Sequence, residues 1–527
     1  MNDLSPHSYQ KVWKGAMILT IAGIIIKILS AAYRVPFQNI VGDVGFYIYQ
    51  QVYPFYGVAI ILSTYGFPVV ISKIIAEHPE STREQAARKI RWVSFSFLTL
   101  LGLSFFLLLY FGATHLAAFM GDLELSILIK IVAFSFLVLP LVSVWRGSFQ
   151  GLGEMTPTAV SQVSEQVIRV GTILVLSYLL MNAGFSLYEV GAGAIFGSVI
   201  GGFAAVLALL VFYQKRKRKH MHTAAPSNVL PTSKSIVKVL MLQGFTICIS
   251  SLLLVLFQMV DAFTIYAGLL EAGINEQQAK ELKGVYDRGQ PLIQLGTVVA
   301  TAFSLSLVPY IILSKGKEVK EKISLSIRVS IGVGAGAAVG LAWLIKPVNM
   351  MLFSNENGYH VLMVLGLSIL FCSIALTAAA ILQGLGNPYL PALFVSIGIG
   401  FKYLLNVLLI PAHSTLGAAI GTLLAFSSVA TMMILALKKK TGTSIFERMP
   451  TVPLLVSIAM MSAVLTVYLL LTDSLIEDSR KMATFQSIVG VIIGGFTYLL
   501  ILIKNHFFTK EELMLLPLGK KLVKLLK

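Results

Sequence analysis

Charge is what this sequence most lacks. Of its 527 residues only 12% are Asp, Glu, Lys or Arg, while 56% are hydrophobic; a soluble domain carries roughly 25% charged residues. So few charges cannot cover a water-facing surface. The chain belongs in lipid, where every backbone polar group must be satisfied inside a helix or a closed barrel. Cysteine is nearly absent too. Cys248 and Cys372 both lie inside apolar runs and read as two small buried hydrophobes rather than a disulfide. The eight histidines are scattered, without metal-ligand spacing. There is no Gly-x-x-x-x-Gly-Lys-Ser/Thr loop, no His-Glu-x-x-His and no Gly-x-Ser-x-Gly, so ATP hydrolysis and the common hydrolase chemistries are not expected. Neither enzymatic activity nor a cofactor is expected, and any driven transport would draw on the membrane potential, H+ or Na+. Acidic residues are also few, 24 against 41 basic, for a net charge of +17. In a soluble protein that excess would suggest nucleic acid; here the loops account for it.

What is present in abundance is long apolar runs. They are uninterrupted rather than alternating, which favours helices over a barrel. The first follows Lys11 and Lys14, is long enough to span, and lacks a small-residue cleavage site, so it reads as a spanning helix rather than a signal peptide. A span needs about 20 residues. Windows of that length fall near 15–35, 48–72, 92–114, 124–146, 157–180, 187–213, 236–266, 289–313, 324–346, 360–383, 389–410, 415–437, 450–472 and 483–504. These predict an all-α, polytopic protein of about fourteen transmembrane helices. With both termini cytoplasmic, thirty Lys and Arg lie in inside segments, seven in outside loops and four within spans. The run Lys215 to Lys219 is the largest inside cluster. The net charge is thus a topology signal of the positive-inside kind, and the predicted location is the cell membrane.

The sequence also repeats. Gln150-Gly151-Leu152-Gly153 closes the fourth span and Gln383-Gly384-Leu385-Gly386 the tenth; Arg169 and Lys402, inside the next spans, are separated by the same interval. Six spans lie between the copies, so the halves share an orientation, an arrangement that places a substrate path between lobes. The expected organisation is a first lobe at 1–213 (spans one to six), a cytoplasmic linker at 214–235, a second lobe at 236–437 (spans seven to twelve), two unrepeated spans within 450–504, and a tail at 505–527. Leu513, Leu516, Leu522 and Leu526 among Lys520, Lys521, Lys524 and Lys527 make that tail a basic amphipathic segment suited to an anionic inner leaflet.

Charges inside spans are costly, roughly 2.5–3.5 kcal/mol at mid-bilayer, and mark cavities or pathways. Lys27 lies mid-span. Arg34 follows two helical turns later and is expected on the same face, though snorkelling to outer headgroups would also explain it. Glu165 and Arg169 form an i,i+4 couple in the favourable order, either a structural ion pair or a substrate contact. Lys402 has no acid nearby on its own helix, so its partner lies elsewhere or is a ligand. Asp261 near the outer side could neutralise a cavity cation, bind a coupling ion, or be interfacial. Lys130, at an outer end, snorkels. Asp287-Arg288-Gly289-Gln290-Pro291 opens the eighth span, where Arg288 opposes the helix dipole; Asp287 or an anionic substrate group could offset it.

Several motifs together resemble the multidrug/oligosaccharidyl-lipid/polysaccharide (MOP) exporter superfamily, and within it the polysaccharide biosynthesis branch of SpoVB-like proteins and MurJ-like lipid II flippases. They are Lys27-Ile-Leu-Ser with Tyr33-Arg34-Val-Pro36-Phe37, Gly66-Phe67-Pro68 to Lys73, Gln150 to Gly153, Val260-Asp261-Ala-Phe263-Thr264, Asp287-Arg288 to Gln294, and Gln383 to Pro388. The resemblance implies two six-helix lobes that alternate between inward- and outward-open states around a cationic cavity lined by spans one, two, seven and eight, with the last two spans forming a groove for a lipid tail. It implies that Lys27, Arg34 and Arg288 meet the pyrophosphate of a lipid-linked sugar. Lys27 departs from the Arg often found there, and Lys lacks the bidentate fork. The expected partners are a lipid-linked glycan, the bilayer and the cell-envelope synthesis machinery, with no nucleic acid, the protein itself being a monomer. A drug/cation antiporter would call for twelve spans and an acidic cavity. A non-transporting scaffold would leave Lys27 and Arg288 replaceable, and a membrane glycosyltransferase would need an acidic or metal cluster at the membrane face.

Overall fold

The computed structural model describes residues 6–219, 231–305, 316–442, 449–473 and 479–515, with isolated positions 308, 311, 314, 519 and 523. Among them all regular structure is helical. Twelve stretches are long and apolar enough to cross a bilayer, and three of these need closer reading. Met17–Ala76 holds 60 residues, about 90 Å if straight, three times the hydrocarbon core. It includes most of α1 (Pro6–Ala32), then α2 (Arg34–Ile61), a wide turn at Leu62–Gly66 and α3 (Phe67–Ala76). It folds back at Gly42 (φ 70°, ψ −174°). The phenols of Tyr33 and Tyr49, sixteen residues apart, meet at 2.7 Å, whereas a straight helix would hold them about 24 Å apart.

Next come α4 (Glu80–Phe119), α5 (Ser126–Gly151), α6 (Thr156–Asn182) and α7 (Leu187–Lys219). The seventh span is one interrupted helix: α8 (Ser233–Val239), a wide turn at Leu240–Gly244, α9 (Phe245–Ser251) and α10 (Leu253–Glu271). Across its last break the Leu252 amide still donates to the Cys248 carbonyl at 2.9 Å. A short α11 (Glu276–Asp287) leads into α12 (Gly289–Leu305), then α13 (Lys317–Phe353), α14 (Tyr359–Gly384) and α15 (Tyr389–Thr441). The last of these, 53 residues long, reverses at Ser414: Lys402 Nζ donates to Thr422 Oγ1 at 2.6 Å across twenty residues. Then come α16 (Thr451–Asp473), α17 (Arg480–Lys504) and α18 (Lys510–Leu515). Splitting the two hairpins, joining the seventh span and adding α12 gives fourteen spans, as the apolar runs predict.

Ser414 sits at φ 52°, ψ −140°, backbone space that suits only glycine and costs other residues about 1–3 kcal/mol. Glycine's greater freedom in the unfolded chain offsets about 0.5–1 kcal/mol of that relief. Ser414→Gly should therefore stabilise the protein by about 1 kcal/mol, read as a higher unfolding midpoint in detergent. An unchanged or lower midpoint would count against strain at this turn.

The chain divides into two compact units, Met1–Ala267 and Gly268–Lys527. Local structure repeats between them. After α5, Leu152, Gly153 and Glu154 donate to Ser148, Gln150 and Phe149; after α14, Leu385, Gly386 and Asn387 donate to Ile381, Gln383 and Leu382, at 2.8–3.1 Å. Gly153 and Gly386 adopt φ +80° and +79°. This is the left-handed helix stop that only glycine makes without strain, and it occurs at both of the positions that the sequence repeat relates. In the first unit Arg216, from the predicted basic cluster, ties this stop to α4 by pairing with Glu154 and Glu84. In the second, Arg328 of α13 pairs with Glu512 of α18. Residues 220–230 of the expected linker, and most of the expected amphipathic tail after residue 515, lie outside the described residues.

Candidate functional site

In the first unit the hairpin of α1 and α2 packs against α6 and buries two of the expected cations. Arg34 is fully buried at the start of α2, its guanidinium carbon 4.4 Å from the Tyr53 ring centroid. All three of its nitrogens are buried, and Tyr33 hydrogen-bonds its side chain. Arg169 on α6 is equally buried and lies 5.3 Å from the Tyr33 ring and 5.0 Å from the Tyr56 ring. Its Nη2 donates to Gln166 Oε1 at 2.8 Å and to Ser30 Oγ at 3.4 Å, and Tyr53 is a further hydrogen-bond partner. Tyr33, Tyr49, Tyr53 and Tyr56 form a chain of ring contacts at centroid distances of 5.9–6.4 Å. Two guanidiniums thus share a tyrosine box.

Glu165 does not make its ion pair where its sequence neighbour suggested. Its Oε2 accepts from Arg146 Nη2 at 2.7 Å, leaving Arg169 to Gln166 and the rings. Arg146, on α5, is fully buried and matched at all three nitrogens: Nε donates to Ser161 Oγ at 3.0 Å and Nη1 to Thr64 Oγ1 at 2.9 Å. A fork with three acceptors in reach outcompetes an i,i+4 contact. Tyr56 donates to Glu165 Oε1 at 3.4 Å, linking this network to the box. Lys27, expected on the same face as Arg34, is instead exposed on α1, beside exposed Ile25 and Ile28. A turn at Tyr33 ends α1, and Arg34 begins α2 tucked against Tyr53. Asp261 is buried in α10; the next carbonyl, of Ala262, accepts from Gln51 Nε2 at 3.1 Å.

In the second unit Arg288 caps α11, fully buried. It donates through Nη1 to Asn349 at 3.2 Å and to Asn355 at 2.7 Å, and lies 5.1 Å from the Phe353 ring. Asp287 pairs with Lys283 at 2.6 Å, with both side chains buried. Lys402 is fully buried with Nζ on Thr422 Oγ1, which the Tyr286 hydroxyl also meets at 2.8 Å. The partner sought for Lys402 is therefore the opposite arm of its own hairpin. Arg146 and Lys283 were missed by the sequence reading, and so was the tyrosine box. One signal existed: Tyr33 with Tyr266, and Tyr53 with Tyr286, are separated by the same interval as the repeated glycine motifs.

A second feature of this unit is a groove of about 380 Å³ between α13, α16 and α17. Its walls are apolar, with Leu344, Met461 and Leu465 facing Gly336, Gly340 and Gly495. At one end the Tyr498 hydroxyl donates to the Gly332 carbonyl at 2.5 Å.

Residues 12–315 match the family described as polysaccharide biosynthesis protein. The chain is similar to "Uncharacterized membrane protein YabM" of Bacillus subtilis (strain 168), 46% identical over 521 residues, or 98% of this chain and 97% of that protein. It is 27% identical to the "Lipid II flippase MurJ" of the same organism over 515 residues, covering 93% and 94% of the two chains. A solved lipid II flippase MurJ in an inward closed conformation shares the fold, with a TM-score of 0.67 at 16% identity, covering 92% of this chain and 98% of that one.

Proposed function

This chain belongs to the polysaccharide biosynthesis protein family, in the MurJ-like branch of the MOP superfamily, and from that membership we propose that it is a flippase. Its cargo is a polyprenyl-pyrophosphate-linked glycan precursor of the cell envelope, lipid II-like, carried from inner to outer leaflet by alternating access. The observation that carries this reading is the apolar groove of about 380 Å³ built by the two spans outside the repeat together with α13. A chain-shaped apolar ligand fits such a groove, whereas a compact cation has no use for it. The buried cations supply the other half. The first unit buries Arg34 and Arg169 and the second Arg288 and Lys402, each at most 1% exposed, and buried cations in either unit favour an anionic headgroup over a cationic drug. The membrane potential works in the same direction, since one negative charge moving outward across 100 mV gains about 2.3 kcal/mol.

Reconstitution into liposomes with lipid II, and separately with another polyprenyl-linked glycan, tests this. Wild type should move at least one of them. Arg288→Ala should slow the movement about tenfold or more, because a lost charge-assisted hydrogen bond costs about 1.5–3 kcal/mol. Arg34→Ala should also slow it. Unchanged rates in both variants would refute the headgroup assignment. Transport of a cationic dye with no glycan movement would put the antiporter reading in its place.

A further inference from the structure

We infer that residues 505–515 form a strap that closes one end of the apolar groove, and that a polyprenyl chain enters when the strap lifts; that occupant rests on the flippase reading. The strap begins where α17 stops. Asn505, His506 and Phe507 donate to Ile501, Ile503 and Leu502 at 3.0–3.1 Å, and His506 takes φ +57°. This is the left-handed stop seen after α5 and α14, but with a side chain where glycine would sit without strain. The turn throws Phe507 and Phe508 back onto the second unit, where both are buried, their rings 4.8 Å apart and nearly perpendicular. Phe507 lands at the end of the groove. A Cβ on Gly332 would lie 3.1 Å from its ring, and Gly332 directly precedes Val333, which lines the groove. The Gly332 carbonyl also takes the Tyr498 hydroxyl, and the Tyr498 ring covers Gly336. Tyr498 is thus the end wall, and Phe507 backs it.

The latch is Glu512. Its Oε2 accepts from the Thr509 amide at 2.9 Å while its own amide donates to Thr509 Oγ1 at 3.2 Å, the reciprocal box that starts a helix. Its Oε1 pairs with Arg328. One carboxylate therefore winds α18 and ties it to α13. Arg328 lies four residues before Gly332 on the same face of α13, so the latch and the end wall meet one side of one helix. Leu513 is buried, whereas Lys510, Glu511 and Met514 are exposed. A helix of six residues is too short to stand by itself, so α18 is stable only while docked. Lids are drawn from such low-stability segments.

The groove is tied differently toward its other end. There Arg480, at the start of α17 itself, donates to the Met351 and Leu352 carbonyls at 2.9 and 3.2 Å. That tie cannot lift without moving the helix. The strap lies beyond the end of α17, so it can turn at His506 and leave the helix in place. The removable closure is also on the side where the positive-inside pattern puts the cytoplasm, and a chain carried outward enters from there.

The test locks and frees the strap in the full-length protein in proteoliposomes. In the double variant Arg328→Cys with Glu512→Cys, a cleavable bis-methanethiosulfonate bridges strap and α13; the native Cys248 and Cys372 are buried. A photoreactive polyprenyl phosphate reports entry by labelling the peptides of α16 and α17 that line the groove. Bridging should cut that labelling, and glycan flipping with it, about tenfold by holding the closed state, and cleavage of the bridge by reductant should restore both. Glu512→Gln is the complementary variant, since Gln keeps the box that starts α18 and loses the ion pair. Its labelling should rise by up to about fivefold, the weight of one partly exposed pair. Labelling indifferent both to the bridge and to Glu512→Gln overturns the strap. A loss that reductant does not reverse also counts against it, because damage rather than closure would be the cause. If labelling follows the strap but wild type moves no glycan, the strap stands and the flippase reading fails. Wild-type flipping with the strap bridged and labelling unchanged would sink the strap and leave the flippase reading standing.

Discussion

Replacing Arg146 with alanine should destabilise the protein by about 3–5 kcal/mol, the largest stability loss expected of any single charge in the first unit. Breaking one side of a buried ion pair leaves the other charge uncompensated, and that penalty rather than the lost attraction sets the size. Here Glu165 would keep only the long contact from Tyr56 at 3.4 Å, and the hydroxyls of Thr64 and Ser161 would each lose a donor. The pair also joins three helical segments: α5 through Arg146, α6 through Glu165 and Ser161, and the wide turn after α2 through Thr64. Glu165→Ala should be comparably harmful. The double replacement Arg146→Met with Glu165→Leu should recover most of the loss, because it removes both charges and keeps apolar volume. Unfolding in mixed micelles of Arg146→Met, Glu165→Leu and the double variant, run as a double-mutant cycle, reads the coupling directly. If the two single losses simply add in the double variant, the pair is not what holds these segments together. If Arg169→Gln costs as much as Arg146→Ala, the contrast between an arginine paired with a carboxylate and one held by phenols and an amide fails with it.

That contrast also shows where sequence reading stops. Fourteen spans were legible because run length reports directly on bilayer thickness, and the repeat was legible because a left-handed helix stop demands glycine at Gly153 and again at Gly386. Helix ends were not. The apolar window closes at residue 146, but α5 runs to Gly151, and α4 begins at Glu80 rather than near 92. A helix does not stop at the headgroups; only its hydrophobicity does. Arg146 therefore looked like a loop residue at the membrane edge, when it lies a full turn inside a helix and is buried. Partner choice was the second blind spot. The i,i+4 rule finds neighbours on one helix, and it describes Lys283 with Asp287, but Glu165 reaches across to α5. Pairing between helices is a tertiary fact with no local signature. The groove was expected only through the family resemblance; the residues themselves mark it by nothing more than glycines in apolar runs, which ordinary close packing would also use.

Filling that groove should slow flipping about tenfold without unfolding the protein. Gly495 lines it, and a Cβ built there meets nothing within 4 Å, so Gly495→Phe adds a ring at the groove wall with no clash at Cβ. Gly336 is different: its Cβ would lie 2.5 Å from the Tyr498 ring, and a large residue there would lower stability before function could be read. Gly112 supplies the control, since it too has open space around its Cβ and lies on α4, outside the set of residues that line the groove. Gly112→Phe should flip at the wild-type rate. The expected effect is on rate rather than affinity, for a physical reason. In water, each buried CH₂ would contribute about 0.8 kcal/mol, but a polyprenyl chain leaving the bilayer for the groove exchanges one apolar surrounding for another and gains only packing. Such a groove guides the chain while the headgroup crosses and adds little to binding. Affinity for methylene diphosphonate, a soluble mimic of the headgroup's diphosphate, should therefore be unchanged in Gly495→Phe while glycan flipping falls. Flipping at the wild-type rate would show that the lipid chain does not use this groove. A parallel fall in diphosphonate affinity would mean that the substitution disturbs the protein beyond the groove, and the rate effect could not then be ascribed to the lipid chain.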